Sequence, residues 1–274
     1  MQPARIAELL RPFLSPTSNS CHSESGRRPE AEPAVLSSTQ LHDISTYIDI
    51  LLRWNTRINL TAIRDPEEIV TRHFGESLFA ARYLFADLGE GRKESNSSMP
   101  WASSVVKDLI AASDQRPMTN SRRPTLADFG SGAGFPGLPI KLWAPQAVVT
   151  LIESNQKKAT FLREVTHALK LTDVNIKNVR ARGAAANDPS QLFDVVTLRA
   201  VERFGEALRI AASLVGPTGR LLLLIGISQL DKVHSVLSTF SWNAPINVPL
   251  SESRVVLLGD KISPAQSDDP VPQK

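Results

Sequence analysis

The stretch ADFGSGAGFPGLP, Ala127 to Pro139, sets glycines at 130, 132 and 134, with Asp128 two residues before the first. It follows a short apolar segment, TLADF (125–129), and leads into a helical one over 136–143. A glycine turn between strand and helix lies at the carboxyl edge of an open α/β sheet, where backbone can approach a ligand. Its register narrows the ligand. A P-loop needs a lysine directly after its last glycine, and none occurs before Lys141. A dinucleotide fingerprint needs a third glycine where Phe135 stands. Both phosphate-binding readings fail.

Downstream the chain alternates. Strands are expected over 147–153, 173–179, 193–198 and 219–225, and helices over 155–170 and 203–215. A helix over 228–239 and a last strand over 254–260 follow. Near-continuous apolar strands separated by helices predict an α/β fold, a parallel sheet with helices on both faces. Glu153 closes the second strand, 23 residues after Gly130. A carboxylate there can grip both ribose hydroxyls; an acid that merely stabilises the following helix N-terminus is the plainer alternative. The D-x-G-x-G-x-G spacing resembles the first motif of the class I S-adenosylmethionine methyltransferases. That resemblance implies a Rossmann-like sheet, backbone at Gly130, Gly132 and Gly134 against the methionine end of the cofactor, and Asp128 receiving its ammonium.

Before the turn the chain is helical. In SSTQ, Ser37 and Gln40 have capping-box spacing, and Leu41, Ile44, Ile48, Leu51 and Trp54 then follow helical periodicity. DPEE starts a second helix, with Asp65 as cap and Pro66 in the first position. Residues 37–87 form this helical N-terminal extension. Residues 1–36, rich in Ser, Pro, Glu and Arg over 15–37, read as disordered, with room for a short amphipathic helix ending near Pro12. Residues 88–124 read as a mobile insertion, 125–260 as the methyltransferase domain and 261–274 as a flexible tail.

The bulk composition excludes several classes. No apolar run reaches the roughly 18–20 residues that span a bilayer. A start carrying Arg5, Glu8 and Arg11 does not read as a signal peptide. The single cysteine, Cys21, forms no internal disulfide, and no Cys/His cluster has metal-site spacing. A cytoplasmic monomer with no metal and no membrane attachment is the expectation. The net charge is +3, which permits a polyanionic partner without requiring one. From Glu153 to Arg182 seven Lys/Arg face three Asp/Glu, an excess that a solvated surface also explains.

Three longer stretches are more particular: GSGAGFPGLPI with VTLIESNQKKATFLREV, then FDVVTLRAV, and before them LLRWNTRINLTAIRDPEEIVTRHFGESL. In this order they resemble the RsmG (GidB) family, which methylates a guanine at N7 in the small-subunit (16S) ribosomal RNA. The resemblance covers roughly 38–230. It implies S-adenosylmethionine as cofactor and 16S rRNA, or the small subunit during assembly, as partner. It places Gly130, Phe135, Glu153, Ala181, Arg182 and Arg199 at the cofactor. Phe135 has two readings, a wall of the cofactor site or a plug of the turn into the sheet, and the resemblance favours the first. Departures stand at Arg182, where glutamate is usual, and at Leu198, where serine is usual. Ile225 replaces a lysine, and Gly75 and Glu76 replace leucine and aspartate. Candidates for RNA contact are Arg57, His73, Lys157, Lys158, Arg163 and Arg180. Asn59 and Arg199 are candidates for positioning, Asn59 having a capping role as its alternative. His73 also reads as a hydrogen-bonded residue at the edge of the core. Two other functions remain open: methylation of a different substrate, or rRNA binding without activity.

Overall fold

The computed structural model describes residues 1–15, 35–85, 123–179 and 192–262. Residues 16–34 of the expected disordered segment, most of the expected insertion and the tail from 263 lie outside the described residues. So do Arg180, Ala181 and Arg182.

Strand β1 (Thr125–Phe129) lies in the middle of an eight-stranded sheet. On one side it pairs in parallel with β2 (Val148–Ile152), which pairs with β3 (Val174–Lys177). On the other side it pairs with β4 (Phe193–Arg199), followed by β5 (Val215–Gly226), both parallel. The last strand, β8 (Arg254–Lys261), runs antiparallel to β5 and carries the short β6 (Phe240–Trp242) and β7 (Ile246–Asn247). The order is β3-β2-β1-β4-β5-β8-β6. This is the expected Rossmann-like α/β sheet. The two short strands β6 and β7 are additions to the sequence expectation, since stretches so brief carry no period to read.

Both faces are covered, which explains why the strands are apolar almost throughout. Leu222 and Leu224 point into one core, with Leu138, Phe161 and Leu162. Leu221, Leu223 and Ile225 point into the other, with Leu208, Ala211 and Val233. The helices on the first face are α5 (Gly137–Trp143) and α6 (Gln156–Ala168), and on the second α7 (Phe204–Ser213) and α8 (Leu230–Val236).

The N-terminal helices join the first face. Helix α2 (Ser38–Asn55) begins with the expected capping box: Ser37 Oγ accepts the Gln40 N–H at 3.2 Å, and Gln40 Oε1 accepts the Ser37 N–H at 2.8 Å. Asp65 caps α3 (Pro66–Ile69) through the Glu68 N–H. A π-helical segment, Val70–Gly75, then leads into α4 (Glu76–Leu84). The wider π turn re-aims the side chains of 72–76 away from simple α spacing.

The disorder expected over 1–36 is corrected at its start. Helix α1 (Pro3–Leu14) continues past Pro12 and buries Ile6, Leu10, Phe13 and Leu14. Arg5 binds both oxygens of Glu67, at 2.8 and 2.7 Å, and Arg82 donates to the carbonyls of Phe13 and Ser15. Four buried apolar side chains are enough to hold a helix that periodicity alone left marginal. Gly75 receives it. A Cβ at Gly75 would meet the Phe13 ring at 2.6–2.8 Å, so the missing side chain is the socket for that ring.

Candidate active site

The turn after β1 is built from left-handed backbone: φ is +72°, +56° and +86° at Gly130, Gly132 and Gly134. That conformation favours glycine at each position. The three glycines nevertheless do different work. A Cβ at Gly130 would meet Val201 at 2.8 Å. One at Gly134 would strike the Tyr47 hydroxyl and Leu138, the latter at 2.8 Å. At Gly132 the nearest atom is the Gly130 carbonyl oxygen, 3.8 Å away. Among the described residues, only Gly132 of the three lies under open space. A ligand can lie on the backbone there.

Two acids hold the turn, one from below and one from the side. Asp128 is 1% exposed. Its Oδ2 accepts the Gly137 N–H at 3.2 Å and its Oδ1 accepts the Thr197 hydroxyl at 2.7 Å. Burial pushes its pKa up to about 6, against the pull of those hydrogen bonds and of Arg199. The expected contact with a cofactor ammonium is therefore corrected: this carboxylate is spent inside the protein, tying β1 to α5 and β4. Glu153 sits where expected, at the end of β2. Its Oε2 accepts the Gly132 N–H at 2.8 Å and its Oε1 the Asn155 N–H at 2.7 Å. A carboxylate has about four acceptor sites, so two ribose hydroxyls can still add to these bonds.

Phe135 is 7% exposed and lies flat between Tyr47 (5.3 Å, 5°) and His73 (4.7 Å, 19°), with Phe74 edge-on at 5.1 Å. The cofactor-wall reading is corrected here: Phe135 plugs the turn into the helical layer. Tyr47 completes the joint by donating its hydroxyl to the Ala133 carbonyl. The periodicity of α2 gave no hint of that, because Tyr47 lies outside the apolar set that marked the helix.

His73 lies at this joint. Thr61 Oγ1 accepts the Ile63 N–H at 3.1 Å and lies 2.8 Å from His73 Nε2. The Thr61 hydroxyl and the ring nitrogen share this hydrogen bond, its direction set by the imidazole tautomer. Nδ1 is buried and has no partner among the described residues. Burial, then the charges of Arg199, Arg72 and Arg254, push the imidazole down to about 3. It is neutral at physiological pH.

Arg199, at the end of β4, is 8% exposed. Its Nη2 donates to the Arg72 carbonyl at 2.6 Å and to Glu76 Oε2 at 2.9 Å, while Nη1 is buried without a partner among the described residues. Burial lowers its pKa to about 10 against the attraction of Glu76. An unpaired buried guanidinium N–H costs on the order of 1–3 kcal/mol unless a ligand takes it. Glu76, 1% exposed, also receives Arg72 and Arg254. Glu76 stands out in the sequence only as a departure from the family pattern and Arg254 not at all, since their meeting depends on sheet register: Arg254 stands opposite Gly226. Ile225 and Leu198 are buried in the core of the second face.

The remaining candidates scatter. Arg57 and Asn59 are exposed in the link after α2, and neither side chain has a partner among the described residues. The capping reading of Asn59 is corrected, because Asn55 does that work. Asn55 Oδ1 accepts the N–H groups of Leu60 and Thr61, and its Nδ2 donates to the Thr61 carbonyl. Lys157 is exposed and Lys158 half-buried in the first turn of α6. Arg163 lines an open groove of about 860 Å³ beside β3, with His167, Lys170 and Lys177. Among the described residues, no cluster of His, Cys, Asp and Glu could hold a metal, and no helix is long and apolar enough to cross a membrane.

Known proteins place this architecture. The family model for rRNA small subunit methyltransferase G matches residues 40–91 and 104–250. A relative named ribosomal RNA small subunit methyltransferase G, from Chloroflexus aggregans, is 32% identical over 86% of this chain and 87% of its own. Proteins of the same name from Xanthomonas campestris (31%; 74% of this chain, 78% of that one) and Xylella fastidiosa (36%; 66% of each) also match. TrmN from Thermus thermophilus is 17% identical, with a TM-score of 0.44 over 70% of this chain and 53% of that one. With the family model matching well over half of its length, the chain belongs to the rRNA small subunit methyltransferase G (GidB) family.

Proposed function

We propose that this protein transfers a methyl group from S-adenosylmethionine to small-subunit (16S) ribosomal RNA, at N7 of one guanine, acting as a cytoplasmic monomer. The observation that carries the reading is the open backbone over Gly132 with Glu153 bonded to it, in a chain of this family whose Arg199, at the end of the neighbouring β4, keeps a spare Nη1. These groups fit the cofactor. Glu153 would take the ribose hydroxyls, the turn the methionine end, and Arg199 the methionine carboxylate. Bound there, S-adenosylmethionine supplies an electrophilic methyl group on a sulfonium.

Guanine N7 is already an unprotonated lone pair, so no side chain has to remove a proton. The protein's contribution is alignment of nucleophile, methyl carbon and sulfur. The N7 edge is out of reach in paired A-form RNA, so the target guanine has to be exposed in a loop or an assembly intermediate. Mass spectrometry of rRNA from a strain lacking this gene tests the proposal. Loss of a single N7-methylguanine from the small-subunit RNA is expected; its persistence overturns the RNA assignment.

A further inference from the structure

Three guanidinium groups, from Arg72, Arg199 and Arg254, converge on the one carboxylate of Glu76 at 3.2, 2.9 and 3.0 Å. Glu76 is the one carboxylate that all three share, and Asp128 acts as a further counter-charge on Arg199 alone. Glu68 reaches Arg72 only at 3.7 Å and from an exposed position, where an ion pair is screened and weak. The three cations are not equivalent. Arg199 is enclosed, and in the reading above its spare N–H meets the cofactor carboxylate. Arg72 and Arg254 form the outer pair, with side chains 43% and 23% exposed. They come from different walls, Arg72 from the π segment and Arg254 from the head of β8 beside the carboxyl end of β5. Beyond Glu76, the Arg254 side chain has no acceptor among the described residues.

We propose that Arg72 and Arg254 form a clamp for one phosphodiester of the RNA strand, seated beside the target nucleotide. Arg72 and Arg254 carry their charge on the open side of the cluster, where a phosphodiester anion can join Glu76 as a counter-charge. A tetrahedral oxyanion can accept from two guanidinium forks at once, and guanidinium is the group suited to that geometry. The buried Glu76 holds both forks by one edge, so they are oriented before RNA arrives. This differs from the exposed Lys157 and Arg163, which hold no set direction. Phosphate contacts of this kind fix the register of a strand without reading its bases. The clamp rests on the reading of the turn as the cofactor seat.

The test is methyl-transfer kinetics of the full chain on small-subunit RNA, together with S-adenosylmethionine calorimetry. The proteins compared are wild type, Arg254→Ala, Arg254→Lys and, as the more exposed partner, Arg72→Ala. Arg254→Ala is expected to raise the RNA KM roughly tenfold and to leave S-adenosylmethionine affinity within about twofold. It should also lower the slope of log KM against log salt by about one. Arg254→Lys should recover part of the KM effect, as a cation without the fork. Unchanged RNA KM and salt slope in either folded alanine variant overturns the clamp. A loss of cofactor affinity as large as the loss for RNA overturns it too, by placing Arg254 in the cofactor seat. Wild-type protein that binds no S-adenosylmethionine is a separate result: it removes the seat on which the clamp was argued.

Discussion

The glycine turn and the arginine cluster stand at the same end of the sheet and are built in opposite ways. The turn is one run of chain, with its strand, its three left-handed glycines and its bracing acids set by local register. The cluster is assembled from the π segment, β4 and β8, and exists only when a sheet and a helical layer have docked. A local device tolerates changes elsewhere and fails by strain. An assembled one fails when any contributor is withdrawn, because the others keep their charge.

That contrast breaks most visibly at Glu76. Glu76→Leu removes the shared carboxylate and leaves three cations together, and should cost about 3 kcal/mol in urea denaturation, the scale of a broken buried ion pair. A loss under about 1 kcal/mol would show that the cluster is not held this way. Within the turn, Gly134→Ala should cost about 2 kcal/mol, combining left-handed strain with a clash against Tyr47 and Leu138. Gly132→Ala should cost only about 1 kcal/mol, from strain alone. Equal losses at the two positions would contradict the division of labour between them.

The joint to α1 gives a smaller, coupled effect. Gly75→Ala should destabilise by about 1–2 kcal/mol through overpacking against Phe13, and by clearly less in a Phe13→Ala background. Additive effects would mean that the socket is incidental.

The smallest effect is a pH dependence. The folded-state pKa of His73 is depressed to about 3, so its stabilising contribution is complete above the ordinary imidazole range and is lost as pH falls toward that value. From about pH 7 to about pH 5.5, wild type should lose on the order of 1 kcal/mol relative to His73→Gln. Parallel stability curves for the two proteins would contradict a neutral, buried imidazole.

Much of the first device was legible in the sequence, and little of the second. Asp128, the glycine register, Glu153 at the end of β2 and the Ser37 cap all depend on neighbours within one or two elements. The position of Asp128 follows from the spacing and its role does not, because spacing does not say which way a buried carboxylate turns. The same holds for Phe135: the aromatic rings that enclose it come from α2 and the π segment. The capping role falls to Asn55, which spacing does not single out from Asn59, because burial at the end of a helix leaves no mark in composition. Arg254 needed the β5–β8 register, and the docking of Phe13 into Gly75 joins residues 62 positions apart. Side chains that meet across such separations follow no local period.

The central claim is that the open backbone over Gly132 seats the cofactor, and calorimetric titration of S-adenosylmethionine into wild type and Gly132→Val tests it most directly. The account predicts a single site on wild type and no measurable binding to a folded Gly132→Val protein. Equal affinity in the two proteins would contradict it and place the cofactor elsewhere.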